Sequence, residues 1–168
     1  MYNYTLGYHS VPTLFLVLAF LLSATFLTAQ SANTAPTLRE VPAEMTAQRH
    51  LLKTIYKEVK YPKVAREARR GGRYLLAIHV NEEGSSWEAM PLTELPEGAE
   101  PINLSVIATD DTQAAPVSGQ MKVNADRALL EETERLGRFL VDIGFTPITQ
   151  QGAIIADTLY LAFYYRLE

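Results

Sequence analysis

In the stretch YPKVAREARRGGRYLLAIHV, residues 61–80, the period of the apolar residues changes abruptly. Up to Arg70 the spacing is that of a helix, and from Arg73 it alternates like a strand. Pro62 suits the first turn of a helix, where its missing N–H costs nothing, and it pushes Tyr61 out of the α region. Val64, Ala65 and Ala68 give that helix a narrow inner face, small enough for close packing on a sheet. Gly71 or Gly72 is expected to supply the left-handed residue that ends it. Tyr74, Leu76, Ile78 and Val80 then point one way, and Arg73, Leu75, Ala77 and His79 the other. A helix feeding straight into a half-buried strand obliges the rest of the chain to supply a second layer.

The flanking segments supply it. Gln48 to Val59 is amphipathic, with Leu51, Leu52, Ile55, Tyr56 and Val59 on one face. Asn81 to Gly84 is a hairpin turn, and Ser86 to Thr93 is expected to return antiparallel, with Pro91 restricting it to an edge or ending it. Ile102 to Ala108 is a further strand inside an irregular excursion, residues 96–121. The next helix runs to about Asp142, with Asn124 or Asp126 as its cap. Leu129, Thr133, Leu136 and Leu140 form its apolar stripe, while Glu131, Glu132, Glu134, Arg135 and Arg138 are expected to face water. Asp157 to Leu167 is the last strand. Leu159, Leu161, Phe163, Tyr165 and Leu167 line one side, and Tyr160, Ala162, Tyr164 and Arg166 the other. This order predicts an α+β two-layer domain over 48–168, with helices packed on one face of a small antiparallel sheet.

Residues 1–30 carry no Asp, Glu, Lys or Arg, and Val11 to Ala29 is an apolar run. Its dense centre and small-residue exit at Ala29-Gln30-Ser31 fit a cleaved signal peptide. Its length also fits an uncleaved inner-membrane anchor, which needs about 17–25 apolar residues. Either reading exports the remainder of the chain. Residues 31–47 are polar, contain Pro36 and Pro42, and read as a linker. Nine bases and two acids lie between Arg49 and Arg73, so that window is +7 within a chain of net charge −4. It is either a solvated helix face or an attraction for an acidic partner or surface.

The order of landmarks resembles the C-terminal domain of TonB-type energy transducers. The likeness covers roughly residues 60–168. It rests on Tyr61-Pro62 followed by Ala65 and Ala68, on Gly72 before the first strand, and on an acidic turn closing at Gly84. A helix with Leu129, Leu136 and Phe139 comes next, then Phe145-Thr146-Pro147, Gly152 and a terminal strand. The resemblance implies a periplasmic module whose sheet edge, near the last strand, pairs with an extended peptide of an outer-membrane transporter for energy-coupled transport. The mode would be β-augmentation. Tyr160, Ala162, Tyr164 and Arg166 share one face of the last strand: left open, that face is the candidate partner-binding surface; the alternative is that the excursion covers it. The short linker and the excursion depart from the family. They give an alternative: an exported stand-alone interaction or assembly protein of the same fold, without energy transduction. Another envelope protein would then be the partner. A homodimer through an exposed strand edge is a further outcome.

Chemistry is sparse. There is no cysteine, hence no disulfide or thiolate site. HExxH, a phosphate-binding glycine loop and G-x-S-x-G are all missing. His79 with Glu82 and Glu83 could hold a divalent ion, but the triplet has no recognised spacing, and a solvated turn is the simpler reading. No catalytic residue, metal or cofactor is expected. The basic helix lacks any stacking or reading motif for nucleic acid.

Overall fold

The computed structural model describes residues 35–81, 84–91, 94–109, 117–150 and 152–168. Its elements are β1 (Thr37–Leu38), α1 (Ala47–Glu58), α2 (Lys63–Glu67), β2 (Gly72–Asn81), β3 (Gly84–Pro91) and β4 (Ile102–Ala108). They continue with α3 (Gly119–Ile143), β5 (Phe145–Thr146), β6 (Ile148–Gln150), β7 (Ala153–Ile155) and β8 (Asp157–Leu167). The fold is α+β. Among the described residues the main sheet has four strands, in the order β3-β2-β8-β4.

The sheet is mixed, which corrects the expectation of a purely antiparallel one. β2 pairs antiparallel with both β3 and β8, but β4 runs parallel to β8 from Ile102↔Leu161 to Ala108↔Leu167. Parallel neighbours need a long crossover connection. Here α3 lies in that connection, so β4, α3 and β8 form a β-α-β unit. The segment read as an excursion thus holds a strand of the main sheet, with Leu104 fully buried and Val106 nearly so.

One face of the sheet carries the core. Leu76, Ile78, Leu161 and Phe163 are fully buried there, packed with Ile55 of α1, Ala65 of α2, and Leu129, Leu136 and Leu140 of α3. Burying each of these leucine, isoleucine and phenylalanine side chains stabilises the fold by about 1.5–3 kcal/mol. Leu75, Ala77 and Ala162 are also buried, but on the opposite face and outside this cluster.

The helix ends differ instructively from expectation. Thr46 caps α1, its hydroxyl accepting the Arg49 N–H at 3.3 Å. Ser118 caps α3, its Oγ accepting the Met121 N–H at 3.2 Å, so α3 starts well before Asn124. After α2 the left-handed residue is Arg69, with φ 49°, not a glycine. Gly71 is required for space, because a Cβ there would run into the carbonyl oxygen of Tyr165 on β8.

Residues read as linker also join the fold. Thr37–Leu38 pairs antiparallel with Phe145–Thr146, and Leu38 is 1% exposed. A second small ribbon, β6 with β7, closes around Gly152, whose φ is 82°.

Glu132 is buried rather than solvated. Its Oε1 accepts the Lys60 backbone N–H at 2.8 Å, and its two oxygens take Arg135 Nε and Nη2 at 2.8 Å each. Arg135 also donates to the Glu58 carbonyl at 2.7 Å. The pair therefore satisfies backbone groups left over at the end of α1 and fixes the α1–α2 joint on α3.

The landmark residues have structural work. Tyr61 meets Tyr165 edge-on at 5.5 Å and donates its hydroxyl to the Arg70 carbonyl at 2.8 Å, spanning α2. Tyr74 meets the same Tyr165 ring at 5.9 Å. Phe145 is buried and Pro147 half-buried. Gly84 pairs with Asn81 to begin β3, whose turn residues 82 and 83 lie outside the described set.

Candidate partner-docking edge

Tyr160, Ala162, Tyr164 and Arg166 share the face of β8 turned away from the core cluster. Tyr164 is held between two guanidinium groups, Arg73 at 5.1 Å and Arg166 at 5.6 Å from its ring centroid. Such stacking is worth about 0.5–1 kcal/mol at an exposed site. The edge beside them is another matter. β8 is hydrogen-bonded to β2 on one side and to β4 on the other. The β8 edge expected to receive a peptide is therefore filled by the chain's own β4, and backbone pairing there would require β4 to leave.

Among the described residues the sheet's open edges belong to β3 and β4. β3 carries exposed Glu88 and ends in Pro91, features that discourage pairing. β4 reads INLSVIA, seven residues without a charge or a proline. Its Leu104 and Val106 point into the core, while Asn103, Ser105 and Ile107 are exposed. Ile107 is 54% exposed, high for a large apolar side chain.

The backbone of β4 alternates in the same way, with successive residues turning their N–H and C=O to opposite edges. Ser105 shows which set faces outward: its N–H donates to the hydroxyl of Tyr56 on α1 at 3.3 Å. Asn103 and Ile107 share that direction. Tyr56 is itself 49% exposed, so an aromatic side chain from α1 rests at the rim of an open strand edge. A hollow of about 320 Å³ lies at the start of this edge, lined by Pro36, Thr37, Gln48, Leu51, Ile102 and Leu159. A more open, acidic one of about 640 Å³ adjoins it through Ile102, with Glu97, Glu100 and Asp157 in its walls.

Other sequence candidates stay apart. His79 is exposed and shares a 2.9 Å hydrogen bond with the Thr158 hydroxyl. Glu82 and Glu83 are outside the described residues. Among the described residues no group of three or more His, Asp or Glu side chains is placed to hold a metal ion. No helix among them is long and apolar enough to cross a membrane; the apolar run at residues 11–29 lies outside them. Three tyrosines of the aromatic cluster are perturbed: burial pushes Tyr74 up to about 12, and burial also raises Tyr61 and Tyr165.

The chain matches no protein-family model, no curated protein and no solved structure.

Sequence reading placed the strand Ile102–Ala108 correctly but missed its importance. The available signal was the order strand, helix, strand at 102–108, 119–143 and 157–167, which favours a parallel pair. Tyr56 gave no signal, since it fell on the amphipathic face counted as core.

Proposed function

We propose that this chain is a protein-binding module of the cell envelope, exported by its N-terminal segment, which takes an extended segment of a partner protein as an added strand at the free edge of β4. The observation that carries this reading is that edge: seven residues without charge or proline, exposed Ile107, and an outward Ser105 N–H met only by a half-exposed tyrosine hydroxyl among the described residues. Natural sheets usually shield such edges.

The resemblance to TonB C-terminal domains supports the class of module and its place in the periplasm. The hairpin β2–β3, the long helix and the terminal strand follow the family's order, with β4 added beside the last strand. That addition favours the stand-alone interaction protein over an energy transducer serving an outer-membrane transporter. Docking on β8 itself would have to strip out Leu104 and Val106, at about 1.5–3 kcal/mol each, as well as the ladder. The module acts by binding and not by catalysis.

Site-specific photocrosslinking in living cells tests the proposal. A photoreactive residue at Ser105 or Ile107 should give adducts that map to one short, contiguous segment of an envelope protein, and one at Glu88 on β3 should not. Equal adducts from both edges, or none from β4, would defeat it.

A further inference from the structure

The groups that flank the β4 edge specify its occupant. Arg49, Lys53 and Tyr56 fall at i, i+4 and i+7 and so share one stripe of α1. The bond from Ser105 to Tyr56 sets this stripe beside the outward backbone groups of β4. Ala47, Gln48 and Leu51 share a hollow with Ile102, so the start of α1 lies by the start of β4 and the helix runs alongside the strand. Arg49 and Lys53 are exposed, and neither forms an ion pair among the described residues. On the other face, Arg166 stands opposite Ile107 in register.

A strand added to β4 would turn alternate side chains toward these two surroundings. One set would meet Arg49 and Lys53, and the other would lie beside Ile107. A second copy of β4 fits less well. Antiparallel self-pairing would bring Glu97 and Glu100, which precede the strand, toward the far end of the strand in the copy. Glu168 stands at that end, its N–H donating to the Ala108 carbonyl at 3.1 Å. Exposed Arg166 lies beside it, so the two signs offset there and charge gives self-pairing no net gain.

We infer that the β4 edge selects an extended partner segment alternating acidic and apolar residues, its acids facing Arg49 and Lys53 and its apolar side chains covering Ile107. The inference rests on the edge-docking reading above and adds the chemistry of the partner. The incoming strand takes over the Ser105 N–H from the Tyr56 hydroxyl.

Three capped synthetic peptides matched to the length of β4 test it: VEVEVEV, VSVSVSV and VKVKVKV, titrated into the full-length chain in detergent micelles. Affinity is read by calorimetry and location by the backbone amide signals of Asn103, Ser105 and Ile107. The glutamate peptide should bind roughly three- to tenfold tighter than the serine peptide, the lysine peptide weakest, since exposed charge pairs contribute modestly. Raising the salt should shrink the difference. Joint Arg49→Ser and Lys53→Ser substitution should abolish the glutamate preference and leave the serine peptide's affinity unchanged. If those amides respond but glutamate and serine peptides bind equally, or lysine binds best, the acidic preference is wrong and edge docking stands. If no peptide moves those amides, edge docking itself is wrong.

Discussion

Replacing Glu132 should loosen the joint that sets α1, and with it Tyr56, against the sheet. Its carboxylate accepts the Lys60 N–H and both Arg135 contacts while only 9% exposed, whereas the Arg135 side chain is 37% exposed. In Glu132→Ala the Lys60 N–H loses its acceptor, costing about 1–3 kcal/mol. The lost ion pair adds roughly 1 kcal/mol, discounted because the guanidinium reaches solvent and still donates to the Glu58 carbonyl. A total of about 2–4 kcal/mol is expected. Glu132→Gln keeps an oxygen for Lys60 and forfeits the charge, so about 1 kcal/mol is expected. Arg135→Ala strands a buried carboxylate and should cost as much as Glu132→Ala or more. Urea denaturation followed by circular dichroism measures all three, provided the slope against denaturant is unchanged. Values within about 0.5 kcal/mol of the parent for both Glu132 variants would refute the account of this joint, because that is the range of an indifferent surface change.

Three further outcomes rest on the same geometry. Gly71→Ala should destabilise by about 1–3 kcal/mol, since the new methyl meets the Tyr165 carbonyl and β8 must shift; the same denaturation assay reads it. Tyr74 is raised to about 12 in the folded chain against about 10 unfolded. Its stabilising contribution is therefore complete below pH 10 and is lost as the pH climbs from 10 through 12, and alkaline unfolding of Tyr74→Phe should be flatter across that window. Ser105→Pro should leave the β8 ladder intact because its N–H faces outward, whereas Leu104→Pro removes an inward ladder bond and should cost roughly 3 kcal/mol or more; partner docking should be lost in the folded Ser105→Pro chain.

The period-based features were legible in the sequence. β4 and β8 have the bounds that alternation gives them, and the stripe of α3 buries Leu129, Thr133, Leu136 and Leu140 as spaced. Features that depend on distant partners were not. Glu132 looks solvated because its neighbours on the helix are charged, and only the packing of α3 against Lys60 and Arg135 reveals a buried clamp. Thr37–Leu38 is too short to show a period. Gly71 looked like a cap, but Arg69 takes the left-handed conformation and Gly71 answers to a strand almost a hundred residues away in sequence. The place of the proposed docking edge was not legible. Tyr160, Ala162, Tyr164 and Arg166 share a face of β8 as the alternation implies, but no local pattern says which strands stand at the rim of a sheet.

Hydrogen exchange at single β4 amides tests the central claim most directly. In the free chain Leu104 and Val106, bonded to β8, should be protected, and Asn103 and Ile107 should exchange freely, with Ser105 weakly held by Tyr56. With VEVEVEV bound, Asn103, Ser105 and Ile107 should gain protection while Leu104 and Val106 keep theirs. Loss of protection at Leu104 and Val106 on binding would mean that β4 is expelled and the peptide sits on β8, contradicting the edge assigned to this protein.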